Sequence, residues 1–391
     1  MALPGKLGFG MMRLPVIGDD PTNFDYDQIY QMVDTFLDDG FTYFDTSHVY
    51  HNGMSEEAVR KAVVERHPRD SFTIATKLPV FDLTSEDQVE PVFEKQLKTL
   101  GVDYVDYYLL HNIQTFLYDG VDGKGGIVSS MHLFDHAKKW KEEGRIKHLG
   151  ISFHSSAKLL DRILSEHPEI EFVQIVVNYY DWESGYVQAH KCYDTIRKHG
   201  KKVVIMEPVK GGLLSRLPEN AASILHERDA NASDASWALR FAGGLDGVIA
   251  VLSGMSTLAQ VQDNVNTFTN TTPLSPKDID TLHNVVATLK DKGPVNDKER
   301  SRFEGITYCG VPVVDILDAY TSANLEGASS ICCDPIYLRN SMAEATHTDL
   351  LGNLPNERII ANDGEDITDQ VMEAVHYLAE HFSGGNTGVP L

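Results

Sequence analysis

Four residues of this chain could cooperate in moving a proton. Asp45, Lys77 and His111 each stand at the last position of an apolar run, in FTYFD, FTIATK and YVDYYLLH. Tyr50 lies just beyond the first run, in TSHVYHNG. In a repeat of strands and helices, the C-terminal ends of parallel strands converge on one rim and their side chains share a pocket. A free phenol has a pKa of about 10 and is a poor acid at neutral pH. An ammonium beside it favours the phenolate and lowers that value. Lys77 is suited to this, Asp45 to holding Lys77, and His111 to bonding and orienting a carbonyl oxygen. The chemistry predicted is carbonyl reduction or the reverse alcohol oxidation, with Tyr50 as general acid/base.

The chain must supply elements that bring these residues together. Apolar runs at 6–10, 41–44, 71–76, 104–110, 146–151, 171–177, 201–206 and 247–252 read as strands. They alternate with amphipathic segments at 25–39, 55–66, 86–100, 132–143, 156–166, 187–199, 233–242 and 257–268. Strict alternation predicts an α/β fold, a (β/α)8 TIM barrel of parallel strands. In YDQIYQMVDTFLDDG, Ile29, Met32, Val33 and Phe36 have helical spacing, and Gly40 is placed to close the helix. In SEEAVRKAVVERH, Ser55 is the expected N-cap, with Glu56 and Glu57 at the positive end of the helix dipole.

Residues 112–131 form a long, Gly-rich connection after the fourth strand, which is expected to shape the substrate pocket through Phe116 and Tyr118. Met11, Met12, Arg13 and Trp182 are expected beside it. The barrel pattern ends near residue 272, at TTPLSPKD. This predicts a barrel over 1–272 and a mainly helical C-terminal region over 273–391, with helices at 276–290 and in ITDQVMEAVHYLAEHF.

The length of 391 residues suits a barrel of about 250 residues plus an appendage. A net charge of −23 argues against nucleic acid and anionic membrane surfaces as partners. It leaves room for an anionic cofactor in a local cationic pocket. No run approaches the roughly 20 apolar residues of a membrane helix. The start, MALPGKLGFGMMRLP, enters a strand at once, so a cytoplasmic protein without a signal peptide is expected. Cys192, Cys309, Cys332 and Cys333 contain no C-x-x-C pair and predict reduced thiols.

The four rim residues and their surroundings resemble the aldo-keto reductase family. The matching stretches are FDTSHVYHNG, ATKLP, YVDYYLLHN, GRIKHLGIS, VQIVVNYYD, EPVKGGLL and VLSGMSTLAQVQDNV, in family order over roughly residues 5–270. The resemblance implies that Asp45, Tyr50, Lys77 and His111 are the family's catalytic tetrad. It implies an NAD(P)H-dependent oxidoreductase acting on a small carbonyl or alcohol. It places nicotinamide against Ser152 and Gln174, with Phe153 where an Asn is usual and Tyr179 or Tyr180 stacking on the ring. It runs Glu207, Pro208, Val209, Lys210, Gly211 and Leu213 along the pyrophosphate. It puts Ser253, Gly254, Met255, Ser256, Gln260, Asp263 and Asn264 at the adenosine end. NADP(H) is favoured by family usage. NAD(H) stays open, because Gly254 and Gln260 stand where cations for a 2′-phosphate often sit.

LGFGMMRLP, GISFH, VLSGM, YCGVPVVDILDAY and ASSICCD resemble one branch of the family, which carries a C-terminal ferredoxin-like domain. Iron–sulfur clusters there need cysteine thiolates at close spacing. Cys309, Cys332 and Cys333 lack it, so a degenerate domain with no metal and no iron–sulfur cluster is expected. The alternative function is a nucleotide-binding regulatory subunit with little turnover; the complete tetrad favours turnover. Nothing in the sequence sets the oligomeric state.

Overall fold

The computed structural model describes residues 3, 6–120, 125–291, 293–296, 299–325 and 358–382. Eight strands close into a parallel barrel: β1 (Leu7–Gly10), β2 (Tyr43–Asp45), β3 (Thr73–Leu78), β4 (Val105–Ile113), β5 (Ile146–Phe153), β6 (Phe172–Val176), β7 (Lys202–Met206) and β8 (Val248–Ser253). Each pairs with the next, and β1 also pairs with β8, so no edge is left open.

The closure rests on parity. Successive strand side chains face opposite sides. Phe44, Ile74, Leu78, Tyr108, Leu110, Leu149, Ile151, Phe153, Val173 and Ile175 point outward into the main apolar core, under the helices. Tyr43, Ala75, Leu109, Phe172, Val204, Ala250 and Leu252 fill the lower barrel interior. Gly150 is required there, since a Cβ at this position would lie 2.5 Å from the Phe172 ring. Asp45, Lys77 and His111 share the inward parity with the residues two places before them. Strand alternation alone therefore aims all three at the barrel axis.

The helices over the predicted spans are α1 (Tyr26–Asp38), α2 (Ser55–Val59), α3 (Val89–Leu100), α6 (Leu133–Glu142), α7 (Ala157–Glu166), α8 (Ala189–Lys198), α10 (Asp234–Gly243) and α11 (Leu258–Asn270); α4 (Thr115–Asp119), α5 (Ile127–Ser130) and α9 (Glu219–Arg228) lie in segments not expected to be helical. Gly40, at φ +84, donates its N–H to Leu37 O and ends α1. Two local expectations fail. Ser55 makes no cap bond; it is buried, with Oγ 2.8 Å from Thr46 Oγ1 and 3.0 Å from Met11 O. The expected helix over 55–66 is α-helical only to Val59 and continues as a π turn over Arg60–Val64.

Beyond the barrel, α12 (Pro276–Lys290) spans the predicted residues and packs Leu282, Val285 and Leu289 with Trp237 and Leu225 of the barrel helices. There follow α13 (Arg300–Phe303), a hairpin of β9 (Thr307–Tyr308) and β10 (Val311–Pro312), α14 (Val313–Ala323) and α15 (Thr368–Phe382). Their core includes Val176, Tyr186 and Val187 from the barrel, so this region is seated on the loop that follows β6. Cys309 lies in the hairpin turn, whereas Cys332 and Cys333 fall outside the described residues. Among the described residues, no helix is long and apolar enough to cross a membrane.

Candidate active site

A cavity of about 550 Å³ opens at the C-terminal rim of the barrel, where this architecture places active sites. Asp45, Tyr50 and His111 line it. Lys77, next to last in β3 and fully buried, stands behind them. Its Nζ donates to Asp45 Oδ1 at 2.7 Å and Thr46 O at 2.8 Å, and lies 4.9 Å from the Tyr50 ring centroid. Tyr50 is carried by a turn that its neighbour fixes. His51, at φ +51, accepts the Leu14 N–H at Nε2 (3.1 Å) and places Nδ1 2.8 Å from Pro21 O. Tyr43, Tyr107 and Tyr108 do not line the cavity. Tyr43 and Tyr107 lie in the lower barrel, and Tyr108 is on the outer face, donating to Gln96 Oε1 at 2.6 Å.

The electrostatics are those of a buried ion pair beside a phenol. Burial works against the charge on Lys77, but Asp45 and Tyr50 outweigh it and hold the ammonium pKa above its ordinary value. Burial also pushes the Asp45 carboxyl up, against the pull of Lys77; with the ammonium at hydrogen-bond distance, the pair is ionised. For Tyr50, burial pushes the phenol up and Lys77 pulls it down. The net direction is upward, so the expected lowering by Lys77 is present but outweighed by desolvation. His111 is pushed well below the usual imidazole value by burial, then by Lys77 and His154, and is therefore neutral at pH 7. Its Nδ1 lies 3.2 Å from Ser47 Oγ, and its other nitrogen is left for the cavity side.

Of the proposed cofactor residues, Ser152, Gln174, Glu207, Pro208, Val209, Gly211, Ser253, Gly254, Met255, Ser256, Gln260, Asp263 and Asn264 line the same cavity. Ser152 Oγ accepts the Asn112 N–H at 2.7 Å, where β4 bulges and Asn112 turns to φ +59. Gln174 sits opposite Ser152 in the ladder, and its buried Oε1 has no partner among the described residues. At the far end, Asn264 Nδ2 donates to Ser253 Oγ at 2.9 Å. Gln260 Oε1 accepts the Ser256 N–H at 2.7 Å, so this side chain closes the start of α11.

Four proposed residues are not brought to the cavity. Tyr179 is packed with Leu214 and Trp237 under the barrel helices, and Leu213 shares that cluster. Lys210 turns inward to Asp181. Tyr180 lies beside Lys210, so neither tyrosine of VNYYD faces the cavity. The inward residue at the end of β7 is instead Met206, whose sulfur lies 3.6 Å from Gln174 Nε2. The substrate side differs likewise. Met12 and Arg13 line the cavity, Met11 is in the core, and Trp182 stacks on His190. The 112–131 connection, of which 121–124 lie outside the described residues, holds α4 and α5, and among its described residues Asn112 lines the cavity. Tyr118 lines a separate groove between α4 and α7, and Phe81 takes the place expected for Phe116.

Two ionisable cavity residues were missed from sequence. Arg216 stands among the small residues of the β7 loop, without a recognisable motif. His154 had a usable signal: Phe153 has outward parity and belongs to the core, so the next inward position after Ser152 is 154. Burial pushes its imidazole down to about 4.

Residues 6–287 match the Aldo/keto reductase family. Probable aldo-keto reductase 1 of Glycine max is 33% identical over 178 residues, 44% of this chain; the chain spans about half of that relative, 47%. L-galactose dehydrogenase of Arabidopsis thaliana is 26% identical over 272 residues, covering 64% of this chain and 81% of its own. Among solved structures, aldo-keto reductase AKR11C1 from Bacillus halodurans (holo form) superposes with a TM-score of 0.54 at 25% identity, over 71% of this chain and 91% of that one. An aldo-keto reductase from Klebsiella pneumoniae in complex with NADPH gives 0.55 at 20%, over 72% and 90%, and shares the fold. With a family match over most of its length and the barrel that goes with it, the chain belongs to the aldo/keto reductase family, a family of oxidoreductases.

Proposed function

We propose that this chain reduces an aldehyde or ketone, or oxidises the matching alcohol, with NADP(H) as hydride partner. The observation that carries this reading is the Lys77 ammonium, held by Asp45 at 2.7 Å and Thr46 O at 2.8 Å against the ring of Tyr50. A nicotinamide cofactor fits the lining. Buried Gln174 Oε1 needs a donor, which a carboxamide supplies, and the Ser152 hydroxyl proton is available to its oxygen. His154, at the next inward position after Ser152, stands beside this pair as a neutral imidazole. Arg13 and Arg216 give the cavity two cations for phosphate groups, and Arg216 is our candidate for the 2′-phosphate. The bound cofactor supplies or accepts the hydride.

The rest is done by side chains. His111, neutral, bonds the substrate oxygen through the nitrogen not facing Ser47. Tyr50 gives that oxygen its proton in reduction and takes it back in oxidation. Lys77 stabilises the phenolate left behind, and Asp45 keeps Lys77 charged and in place. Met12 and Phe81 give the substrate end an apolar wall.

The test is consumption of NADPH absorbance with a panel of small carbonyls, beside Tyr50→Phe. That variant keeps the ring and removes the acid, so turnover should fall by about 10²–10⁴ with nucleotide affinity little changed. Wild-type turnover in Tyr50→Phe would sink the assignment. Nucleotide binding by the wild type without turnover of any carbonyl would favour a regulatory role.

A further inference from the structure

The loop after β7 meets the cavity on one side and is gripped from the other. Glu207 and Lys210 take left-handed backbone, at φ +55 and +48, and Glu207, Pro208, Val209 and Gly211 line the cavity. Lys210 points away from it. Its Nζ donates to both carboxylate oxygens of Asp181, at 2.7 and 2.9 Å, and both residues are buried. Asn178 Nδ2 donates to Asp181 Oδ2 at 2.8 Å and to Glu207 O at 3.2 Å. The loop after β6 therefore holds the loop after β7 at two points.

A third layer stands behind these two. The Tyr180 ring has Lys210 Nζ 4.8 Å and Lys290 Nζ 5.0 Å from its centroid. Lys290 is the last residue of α12, and it donates to both oxygens of buried Asp318 on α14, at 2.9 and 3.0 Å. The same β6 loop packs Tyr186 and Val187 against Val313 and Leu317. Gly185 runs so close to α14 that a Cβ there would lie 2.2 Å from Asp315 Oδ1. Cation–π contacts gain strength when desolvated; Tyr180 and Lys210 are buried and Lys290 is partly so.

We infer that Lys290 and Asp318 are positioning residues for the nucleotide. Through Tyr180, Lys210 and Asp181 the C-terminal region fixes the backbone that rims the cofactor cavity. The inference rests on the reading of that cavity as a nucleotide site, and the test separates the two.

The variant is Lys290→Met with Asp318→Asn, which removes both charges and strands neither. Hydrogen exchange is followed in the nucleotide-free protein over residues 206–215, where Lys210 N–H donates to Glu207 O at 3.0 Å and Gly212 N–H to Val209 O at 3.0 Å. Exchange there should quicken several-fold. The dissociation constant for NADPH, from fluorescence titration, should rise by about three- to thirty-fold. Lys290→Arg alone, which keeps a cation on the ring, should behave nearly as wild type. Glu373→Gln alters the 3.2 Å bond that Glu373 Oε1 accepts from Tyr320 on α14, away from Lys290 and Asp318, and should leave both readouts unmoved. Unchanged exchange in the double variant overturns the inference, as does faster exchange with unchanged affinity. An equal effect from Glu373→Gln overturns it too, since general loosening would then explain the result. A wild type that binds neither NADPH nor NADH sinks the proposed function instead, while the exchange result still decides the brace.

Discussion

Lys77→Met removes the charge to which Tyr50 responds. The ammonium lies 4.9 Å from the Tyr50 ring centroid. At an effective dielectric constant of about 20, unit charges about 5 Å apart interact by about 3 kcal/mol, a factor of about 10² in an equilibrium constant. Lys77 is the group that pulls the phenol down, against burial and Asp45. Its loss leaves only burial and neighbouring carboxylates, which push the phenol up, so the Tyr50 pKa rises further. In alcohol oxidation Tyr50 must first lose its proton, so the rising limb of kcat/KM should move to higher pH. In carbonyl reduction the phenol becomes a weaker acid, so the neutral-pH rate falls and the alkaline limb moves up. Stability needs a control, because stranding one member of a buried ion pair costs about 3–5 kcal/mol. Asp45→Asn with Lys77→Met strands no charge. Its limb should shift less, since Asp45 opposes Lys77 at the phenol. The assay is steady-state nucleotide absorbance in both directions across the pH range, with thermal unfolding of each variant at each pH. A folded Lys77→Met protein with an unmoved oxidation limb would refute the reasoning.

Three further outcomes are expected. Burial holds the folded His154 pKa at about 4, against about 6.5 unfolded, so stabilisation is present above the higher value and lost as pH falls towards the lower. About 3 kcal/mol is at stake, and His154→Gln should flatten the acid limb of urea-unfolding stability; an unchanged slope counts against it. Arg216→Ala should weaken NADPH by about tenfold or more and NADH little, because loss of a guanidinium–phosphate contact is selective; equal losses would remove the 2′-phosphate assignment. Protein purified without oxygen should be colourless, with iron and sulfide near zero on analysis; about four irons per chain would mean that cluster ligands exist after all.

The barrel was legible because its signal is repeated. Eight apolar runs alternate with eight amphipathic segments, and inward parity aims Asp45, Lys77 and His111 at one cavity whatever the loops do. Residues after strand ends were harder to read, because a loop side chain obeys no period. Tyr179 fails for this reason: VNYYD follows β6, and its tyrosines turn under the helices while Met206 takes the inward place. Lys210 reads as a phosphate contact until its partner Asp181, 29 positions away, is seen. Ser55 is similar in kind: a local capping rule gave way to tertiary bonds with Thr46 and Met11. The direction of the Tyr50 shift was misjudged because sequence names the neighbouring charge but not the burial.

The polar cluster behind Lys77 has a consequence for attempts to change this protein's substrate. Buried Glu56 Oε1 accepts from Thr76 Oγ1 at 2.6 Å and Gln96 Nε2 at 2.8 Å. Gln96 Nε2 also reaches Lys77 O at 2.9 Å, while its Oε1 accepts from Tyr108. Lys77 is thus clamped at its backbone by α2 and α3 and at its ammonium by the rim. Mutant libraries confined to cavity walls other than Asp45 would leave that clamp intact and could remodel the mouth freely. Random libraries would strike Glu56, Gln96 and Tyr108, three positions that do not line the cavity, and lose activity there with no altered contact to any ligand. Such losses would look like remote effects on catalysis, though their origin is a single carbonyl oxygen one helix layer away.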